Sequence, residues 1–357
     1  MTKRYLGNII TQNPTAPAGP YEDGAAPGVW SLAEAFAYNK AGLWPTAGNV
    51  AQIALMFGGY NSSSSSAINN IQQIYMGTSG TSTDFGDLIS PVYGSGTASS
   101  STRAVKLGGT ANDNVKDRME YVTIASQGNS VDFGDIDKQG ANAAEYDLCS
   151  GTLSNETRGL VGPGTAKPEV IDYFTIATTG NSTTFGGLYF GYNFRASCSS
   201  TTRGFIMGGR DGAAVSKTRI DMVVFASTGN YYSSYGDLTV ARNTSAGTSS
   251  NTRGVIFGGQ SSASPGTLYN IIDYFDLASS GNATDFGDLS AATTRGGAFS
   301  NRVYAYINGV GSTGLTTGTN VIEYVTIAST GNSTDFGDAS VAAGYTAATS
   351  DSHGGLA

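Results

Sequence analysis

NTRGVIFGGQSSASPGTLYNIIDYFDLASSGNATDFGDL, from Asn251 to Leu289, is one copy of a unit that recurs along the chain. Each copy carries an aromatic residue in a phrase such as TDFGD. The six aromatic markers lie 48 to 52 residues apart and are Phe85, Phe133, Phe185, Tyr235, Phe286 and Phe336. A fixed period of this size predicts a solenoid or a propeller with one supersecondary unit in each repeat.

The unit itself contains four short runs separated by turn residues, which predicts four β-strands. Its copy at residues 251–300 shows VIFGG, then NIIDYFDLA, then FGDL after the turn SSGNATD, and finally the small-residue run AATTRGGAFS. The apolar runs do not alternate with polar residues, and strands that are apolar on both faces are buried on both faces. Sheets packed face to face, as in the blades of a propeller, meet this requirement.

Four strands per copy and a glycine pair ending the second strand resemble the kelch family of β-propellers. The glycine pairs are at 58–59, 108–109, 208–209 and 258–259, whereas 162–164 reads GPG, 309–311 reads GVG, and Phe or Tyr replaces the usual outer-strand Trp. The resemblance covers residues 51–357 and implies an all-β, six-bladed propeller of four-stranded repeats. It implies no particular function, because propellers host many unrelated functions.

The two ends of the repeat region complement each other. The first copy begins at its second strand, residues 53–59, with no small-residue strand before it. The C-terminal stretch VAAGYTAATSDSHGG, residues 341–355, resembles that missing strand. We therefore expect residues 341–355 to complete the first blade and close the ring, which leaves no long exposed sheet edge.

Residues 1–50 are predicted to form a separate N-terminal segment. A Pro- and Gly-rich stretch precedes WSLAEAFAYNKAG, in which Ser31 and Glu34 form a capping box and Gly42 can end a helix. A helix of about ten residues is too short to be stable alone. It should dock on its own propeller or anchor the protein to a larger assembly. The candidate anchor residues are Trp30, Leu32, Phe36 and Trp44.

Composition narrows the classes of partner. Charged residues make up 13% of the chain and the formal net charge is −8, against roughly 25% charged residues in average domains. An acidic chain without basic clusters argues against nucleic acid and anionic membranes as partners. No apolar run approaches the roughly 18 residues of a membrane helix, and the first residues show no signal-peptide core.

The stretch GVWSLAEAFAYNKAGLWP, residues 28–45, resembles the N-terminal region of structural proteins from tailed phages of marine bacteria, cyanophages especially. In those proteins it precedes repetitive β domains with phrases much like IASTGNSTDFGD, so the resemblance spans the whole chain. It implies a virion protein made in the host cytoplasm, such as a tail, fibre or particle-surface component present in several copies. Other virion proteins would bind its N-terminal segment, and a host-surface glycan or protein is a further candidate partner.

The repeated Ser-x-Asp-x-Gly phrase, as at residues 82–86, resembles the Asp-box turn of sialidases without its closing Trp. Its side chains are expected to bond nearby backbone N–H groups, and a repeated Ca²⁺ site is the second interpretation. No required metal or cofactor is predicted. Cys149 and Cys198 are expected to be free buried thiols, with a bridge between neighbouring blades as the alternative.

Arginines and carboxylates recur at matching positions of the copies. They are Arg103, Arg158, Arg203, Arg253 and Arg302, with Glu120, Asp172, Asp221, Asp273 and Glu323 in the third strands. This periodicity predicts a repeated ion pair or a backbone clamp inside each blade. Because a catalytic site should break the symmetry, no catalytic residue is assigned and a non-enzymatic protein is expected. The alternative is a glycan-binding or glycan-hydrolysing propeller of the sialidase kind.

Breaks in the repeat supply the candidate binding residues. One aromatic run lies between the third and fourth copies and includes Tyr189, Phe190, Tyr192 and Phe194, and a second pair is Tyr231 and Tyr232. Aromatic rings beside polar loops suit sugar faces and protein contacts. Strand alternation places the first group on the same face as the variable loops after the glycine pairs and the second group on the opposite face. The alternative is that these rings cover a hydrophobic edge.

Overall fold

The computed structural model describes residues 33, 52–111, 116–137, 151–162, 169–231, 234–262, 266–313 and 318–356. The chain divides into two units, Met1–Gln52 and Ile53–Ala357. In the first unit only Ala33 and Gln52 are described, and Ala33 is helical and exposed. The predicted anchor residues Trp30, Leu32, Phe36 and Trp44 lie outside the described residues.

The described residues of the second unit form six β-sheets, which are the blades of a β-propeller. In chain order the strands are β1 (Ile53–Asn61), β2 (Ser66–Tyr75), β3 (Gly80–Thr81), β4 (Thr83–Tyr93), β5 (Gly96–Ser99), β6 (Arg103–Leu107), β7 (Thr110–Ala111), β8 (Arg118–Thr123), β9 (Val131–Asp135), β10 (Leu153–Ser154), β11 (Arg158–Val161), β12 (Val170–Thr175), β13 (Thr183–Gly187), β14 (Ala196–Ser199), β15 (Arg203–Met207), β16 (Arg219–Val224), β17 (Ser234–Asp237), β18 (Ala246–Ser249), β19 (Arg253–Phe257), β20 (Ile271–Asp276), β21 (Thr284–Asp288), β22 (Gly297–Ser300), β23 (Tyr304–Asn308), β24 (Val321–Thr326), β25 (Thr334–Asp338) and β26 (Ala347–Ser350).

Each blade contains four main strands. Sheet order is β26-β1-β2-β4-β7 in blade 1, β5-β6-β8-β9 in blade 2, β10-β11-β12-β13 in blade 3, β14-β15-β16-β17 in blade 4, β18-β19-β20-β21 in blade 5 and β22-β23-β24-β25-β3 in blade 6. The C-terminal strand β26 pairs antiparallel with β1, so that Ser350 faces Ala54 and Ala347 faces Phe57. The predicted all-β, six-bladed propeller and its closure by the C-terminal strand are confirmed.

The blades are held together by hydrophobic cores on both faces of each sheet. In β19, Val255 and Phe257 belong to the core shared with blade 6, whereas Ile256 between them belongs to the core shared with blade 4. Strand alternation thus sends neighbouring apolar residues to opposite faces, and both faces are buried. This arrangement explains why the strand sequences lack an apolar–polar alternation.

The repeated FGD phrase forms the outer joint between blades. The Phe286 carbonyl accepts a hydrogen bond from Gly331 N (2.8 Å), and the Asp288 carbonyl accepts one from Ser333 N (3.0 Å) in the turn of the next blade. A Cβ atom on Gly287 would lie only 2.4 Å from the Gly331 oxygen. The glycine is therefore required by the close approach of two backbones, and the aromatic residue before it is buried in the core.

Candidate functional site

A central channel runs between the first strands of the blades, called the inner strands here. The inner strands are β5, β10, β14, β18, β22 and β26. Each contacts the inner strands of both neighbouring blades. Together they line a cavity of about 190 Å³.

Serine hydroxyls join the inner strands into a ring at one end of this channel. Ser249 Oγ donates to the Ser199 carbonyl (2.6 Å) and Ser300 Oγ donates to the Ser249 carbonyl (2.7 Å). The circle is completed by hydrogen bonds between successive members of the set Ser99, Ser154, Ser199, Ser249, Ser300 and Ser350. One of these serines stands in each copy of the repeat, and this recurrence is the sequence signal that could have identified the ring.

Residues 351–356 lie against this serine ring. Gly354 N donates to the Ser249 carbonyl (2.8 Å), and His353 Nε2 lies 3.2 Å from Ser154 Oγ. Burial lowers the pKa of His353 to about 4, so the imidazole is neutral at pH 7. Burial also raises the pKa of Asp351 to about 6, and the Asp351 carboxylate accepts a hydrogen bond from Ile53 N (3.1 Å). The His and its segment thus help to close this end of the channel.

The opposite end of the channel opens on what we call the loop face, formed by the loops after the glycine pairs and the connections between blades. Asn193 pairs with Arg210, and Asn243 pairs with Gln260. These bridges place each connection directly beside a loop that follows a glycine pair. The aromatic connection at residues 189–194 therefore lies on the loop face, where strand alternation predicted it.

Four non-glycine residues at this mouth hold the left-handed backbone conformation. They are Phe194, Thr244, Arg295 and Tyr345, with φ between 55° and 62°. Backbone hydrogen bonds join them in sequence around the mouth, from Thr244 N to the Phe194 carbonyl, from Arg295 N to the Thr244 carbonyl and from Tyr345 N to the Arg295 carbonyl. The conformation costs roughly 1–2 kcal/mol at each non-glycine residue. All four residues line the cavity.

Two arginines make the mouth electropositive. The Arg295 guanidinium lies 4.4 Å from the centre of the Tyr345 ring, and the Arg210 guanidinium lies 4.4 Å from the centre of the Phe194 ring. Burial lowers the pKa of Arg295, and the nearby charge of Arg210 acts in the same direction. Burial raises the pKa of Tyr345, against the opposing effect of Arg295. The mouth therefore combines aromatic rings with cationic groups.

Three of the candidate aromatic residues form a cluster on the loop face. Tyr189 is 61% exposed and Phe190 is 39% exposed. The two rings meet edge to face at 4.5 Å, and Phe190 stacks on Tyr192 at 5.6 Å. The Arg219 guanidinium lies 5.1 Å from the Phe190 ring. Tyr189 and Phe190 thus present ring surface to solvent, whereas Phe194 lines the channel.

Tyr231 has a different environment, on the face opposite the loop face. Its ring stacks on Phe185 at 5.9 Å, and its hydroxyl donates to the Val224 carbonyl (3.0 Å). Tyr231 therefore takes the packing role that the sequence left as the alternative. Tyr232 lies outside the described residues.

The periodic arginines clamp neighbouring blades. Arg103 Nη1 donates to the carbonyls of Ile176 (2.9 Å) and Ala177 (3.0 Å) in the next blade, and its guanidinium lies 4.3 Å from the Tyr121 ring. The same contact with the next blade is made by Arg158, Arg203 and Arg253. The predicted backbone clamp exists, but it joins two blades instead of lying inside one.

Arg302 does not belong to this set, contrary to the prediction. It is exposed in the turn before β23, and Tyr304 occupies the first position of that strand. The sixth copy therefore replaces the clamping guanidinium with a ring, which packs against Tyr324 at 5.3 Å.

The periodic carboxylates are buried and take part in contacts between blades. Asp273 accepts hydrogen bonds from Thr239 N (3.1 Å) and Thr239 Oγ1 (2.7 Å) in blade 4, and lies 3.0 Å from Arg242 Nη2. Glu120 forms a buried ion pair with Lys106 (3.2 Å). All five carboxylates, Glu120, Asp172, Asp221, Asp273 and Glu323, are at most 3% exposed. The partners of Glu120, Asp221, Asp273 and Glu323 are not the periodic arginines, so the prediction of an ion pair repeated in every blade is wrong.

The Ser-x-Asp-x-Gly phrase contributes to the same contacts. Ser130 Oγ donates to Glu120 Oε2 (2.6 Å), and Ser82 Oγ donates to Gln72 Oε1 (2.8 Å). Both serines therefore bond a buried third-strand side chain. Ser82 Oγ also accepts a hydrogen bond from a backbone N–H, that of Ser340 (2.7 Å), which lies outside the turn itself. In the part of the chain that is described, no group of three His, Cys, Asp or Glu side chains could hold a metal ion.

Cys198 is a free, buried thiol, and burial raises its pKa. Cys149 lies outside the described residues.

Within the described ranges, no helix has the length and apolar character needed to cross a membrane. Comparison of the chain with protein-family models and with curated proteins finds no match.

Proposed function

We propose that this protein is a non-enzymatic structural component of a tailed-phage virion, exposed on the tail, a fibre or the particle surface, whose propeller mediates attachment to the host. The resemblance of residues 28–45 to phage structural proteins supports the virion assignment. Low charge and a hydroxyl-rich surface also suit a protein displayed on a particle. The N-terminal segment would bind other virion proteins, and the loop face would bind a host-surface glycan or protein.

The non-enzymatic part of the proposal is supported by the structural role of the periodic carboxylates. Glycoside hydrolysis requires two carboxyl groups that flank a bound sugar. In this propeller Glu120, Asp273 and Glu323 are buried and accept hydrogen bonds from neighbouring blades. Their recurrence is thus explained by packing, and no reaction is needed to account for it.

An attachment role is supported by the contrast between the two ends of the propeller. Residues 351–356 and the serine ring close one end of the channel. The loop face carries the variable loops, the exposed rings of Tyr189 and Phe190 and the open channel mouth. Variable loops on a rigid scaffold are the usual location of binding residues.

Imaging of purified particles tests the virion assignment. An antibody against the propeller should label the particle at a fixed position in electron micrographs, and mass spectrometry should find the chain in the particles. A truncated protein without residues 1–48 should fold, as judged by circular dichroism, but should not be incorporated. Normal incorporation of the truncated protein would refute the anchor, and absence of the full chain from particles would refute the virion assignment.

A glycosidase screen tests the alternative of a glycan-hydrolysing propeller. Purified protein should release no sugar from a panel of sialosides, galactosides and glucosides. Turnover that a single carboxylate substitution abolishes, without loss of folding, would overturn the non-enzymatic proposal.

A further inference from the structure

The wall of the channel offers hydroxyl groups and cationic groups. Hydroxyl-bearing side chains line it from several blades, among them Ser95, Thr97, Thr152, Ser197 and Thr346. All of these except Ser95 also make a hydrogen bond within the protein. The lining residues within the described ranges include Arg195 and Arg295 but no Asp or Glu. Arg210 is not a lining residue, but its guanidinium lies over the ring of Phe194, which is one. A chain with a net charge of −8 therefore presents a locally positive, hydroxyl-rich cavity to solvent.

Arg295 and Arg210 differ from the other buried or half-buried arginines of the propeller. Arg242 is paired with Asp273 (3.0 Å), and Arg195 with Asp221 (2.6 Å). Among the described residues neither Arg295 nor Arg210 has a carboxylate partner or a side-chain hydrogen bond, and each guanidinium lies over an aromatic ring. The two guanidinium groups lie close together at the mouth and have no carboxylate side chain as a partner among the described residues. Their hydrogen-bond donors are therefore available to a ligand.

Some polar atoms at the cavity have no hydrogen-bond partner among the described residues. Ser95 is 8% exposed, and its hydroxyl makes no hydrogen bond within the described part of the chain. The same holds for Arg295 Nε. An unsatisfied buried polar group in a folded protein requires an explanation, such as a bound water or ligand. The strained backbone of Arg295, with φ of 62°, is a further feature that clusters at ligand sites.

The size and chemistry of the cavity suit one sugar ring that carries an acidic group. A volume of about 190 Å³ is below the roughly 300–1,000 Å³ of pockets for drug-sized ligands. Guanidinium groups bind carboxylates through paired hydrogen bonds, hydroxyl-bearing side chains match sugar hydroxyls, and the rings of Phe194 and Tyr345 offer apolar faces. We propose that the channel mouth binds the carboxylate of an acidic sugar through Arg295 and Arg210.

This inference rests on the proposed role of the propeller as a binding protein, and it names the ligand class of the loop face. Its test is calorimetric titration of the full chain with D-glucuronate at low salt. D-Glucose serves as the neutral analogue, acetate as the carboxylate without a sugar, and an oligoglutamate peptide as the acidic protein analogue. Glucuronate should bind saturably and at least about tenfold more tightly than glucose, since charged hydrogen bonds contribute about 1.5–3 kcal/mol. It should also bind more tightly than acetate, which has the carboxylate but lacks the sugar ring and its hydroxyl groups.

Matched variants locate the site. Arg295→Gln and Arg210→Gln should each weaken glucuronate binding by about tenfold or more. Arg302→Gln removes the same charge from an exposed turn and should leave binding unchanged. The melting temperature of each variant shows whether it is folded, and the Arg210 variant serves as a second test if the Arg295 variant is unfolded.

Several results would overturn the inference. They are no heat with glucuronate, equal affinity for acetate, tighter binding of oligoglutamate than of glucuronate, or unchanged binding by folded Arg295→Gln and Arg210→Gln proteins. If particles still carry the protein and attach to cells in that case, the proposed function stands and only this ligand class is wrong.

Discussion

At the scale of single residues, the propeller depends on charged groups buried between its blades. Asp273 and Arg242 are both fully buried, and burial lowers the pKa of Arg242. A buried pair gains little over apolar packing, but the removal of one partner leaves an uncompensated charge. The carboxylate also accepts hydrogen bonds from Thr239 in the neighbouring blade. One side chain thus holds together two blades and neutralises a buried cation.

We expect Asp273→Asn to lower the free energy of unfolding by about 3–5 kcal/mol, because Arg242 would remain buried without a counter-charge. Urea unfolding followed by tyrosine fluorescence or circular dichroism measures this loss. Asp285→Asn is the matched control, since Asp285 is exposed and surface substitutions usually change stability by less than about 0.5 kcal/mol. Equal stability of the two variants would show that the buried pair contributes nothing.

At the scale of the strand, the C-terminal strand β26 closes the ring of blades. It supplies the inner strand of blade 1 by pairing with β1, almost 300 residues away in sequence. Without β26 the edge of β1 would be open, and an exposed edge strand is a template for aggregation.

Deletion of residues 347–357 should therefore abolish the cooperative unfolding transition or make the protein aggregate, whereas deletion of residues 1–20 should leave the melting temperature of the propeller nearly unchanged. Differential scanning calorimetry and light scattering measure both outcomes. A soluble, cooperatively folded protein without β26 would contradict the requirement for ring closure.

The segment that follows β26 should make stability depend on pH in two opposing ways. The pKa of His353 is about 4 in the folded protein against 6.5 in an ordinary environment, so the unfolded chain binds more protons between these values. Its contribution to stability is present above pH 6.5 and is lost as the pH falls to 4. The pKa of Asp351 is raised from 3.8 to about 6, so acidification through that range favours the folded state.

His353→Gln should therefore lose less stability than the native chain when the pH is lowered from 6.5 to 4, and Asp351→Asn should lose more. Urea unfolding at several pH values in this window measures both slopes. Identical slopes for the two variants and the native protein would rule out titration of this segment as a determinant of stability.

At the scale of the whole molecule, the sequence predicts the ring and its closure but not the channel mouth. The period of the aromatic markers and the complementary ends determine six blades, because each copy must bury both faces of its sheet. Arg210, Arg295 and Tyr345 come from three different blades, and the left-handed positions at the mouth hold Phe, Thr, Arg and Tyr, which form no repeated motif. Their proximity follows from tertiary packing alone. The serines of the ring recur once in each copy of the repeat. Because small polar residues are common throughout every copy, this recurrence does not stand out in the sequence.

The aromatic cluster on the loop face gives the last prediction. Tyr189→Ala combined with Phe190→Ala should weaken adsorption of particles to host cells by about tenfold, equivalent to ~1.4 kcal/mol, because rigid rings supply contact area at low entropy cost. The melting temperature should change only slightly, since Tyr189 is 61% exposed and Phe190 is 39% exposed. Tyr75→Ala is the matched control, because Tyr75 is 45% exposed and lies opposite Ile53 at the closed end of the channel. If the rings were instead part of the core, the double substitution would cost several kcal/mol of stability, as core aromatic truncations do at about 3–5 kcal/mol each. Either that loss, or unchanged adsorption by a folded double variant, would exclude the cluster from host recognition.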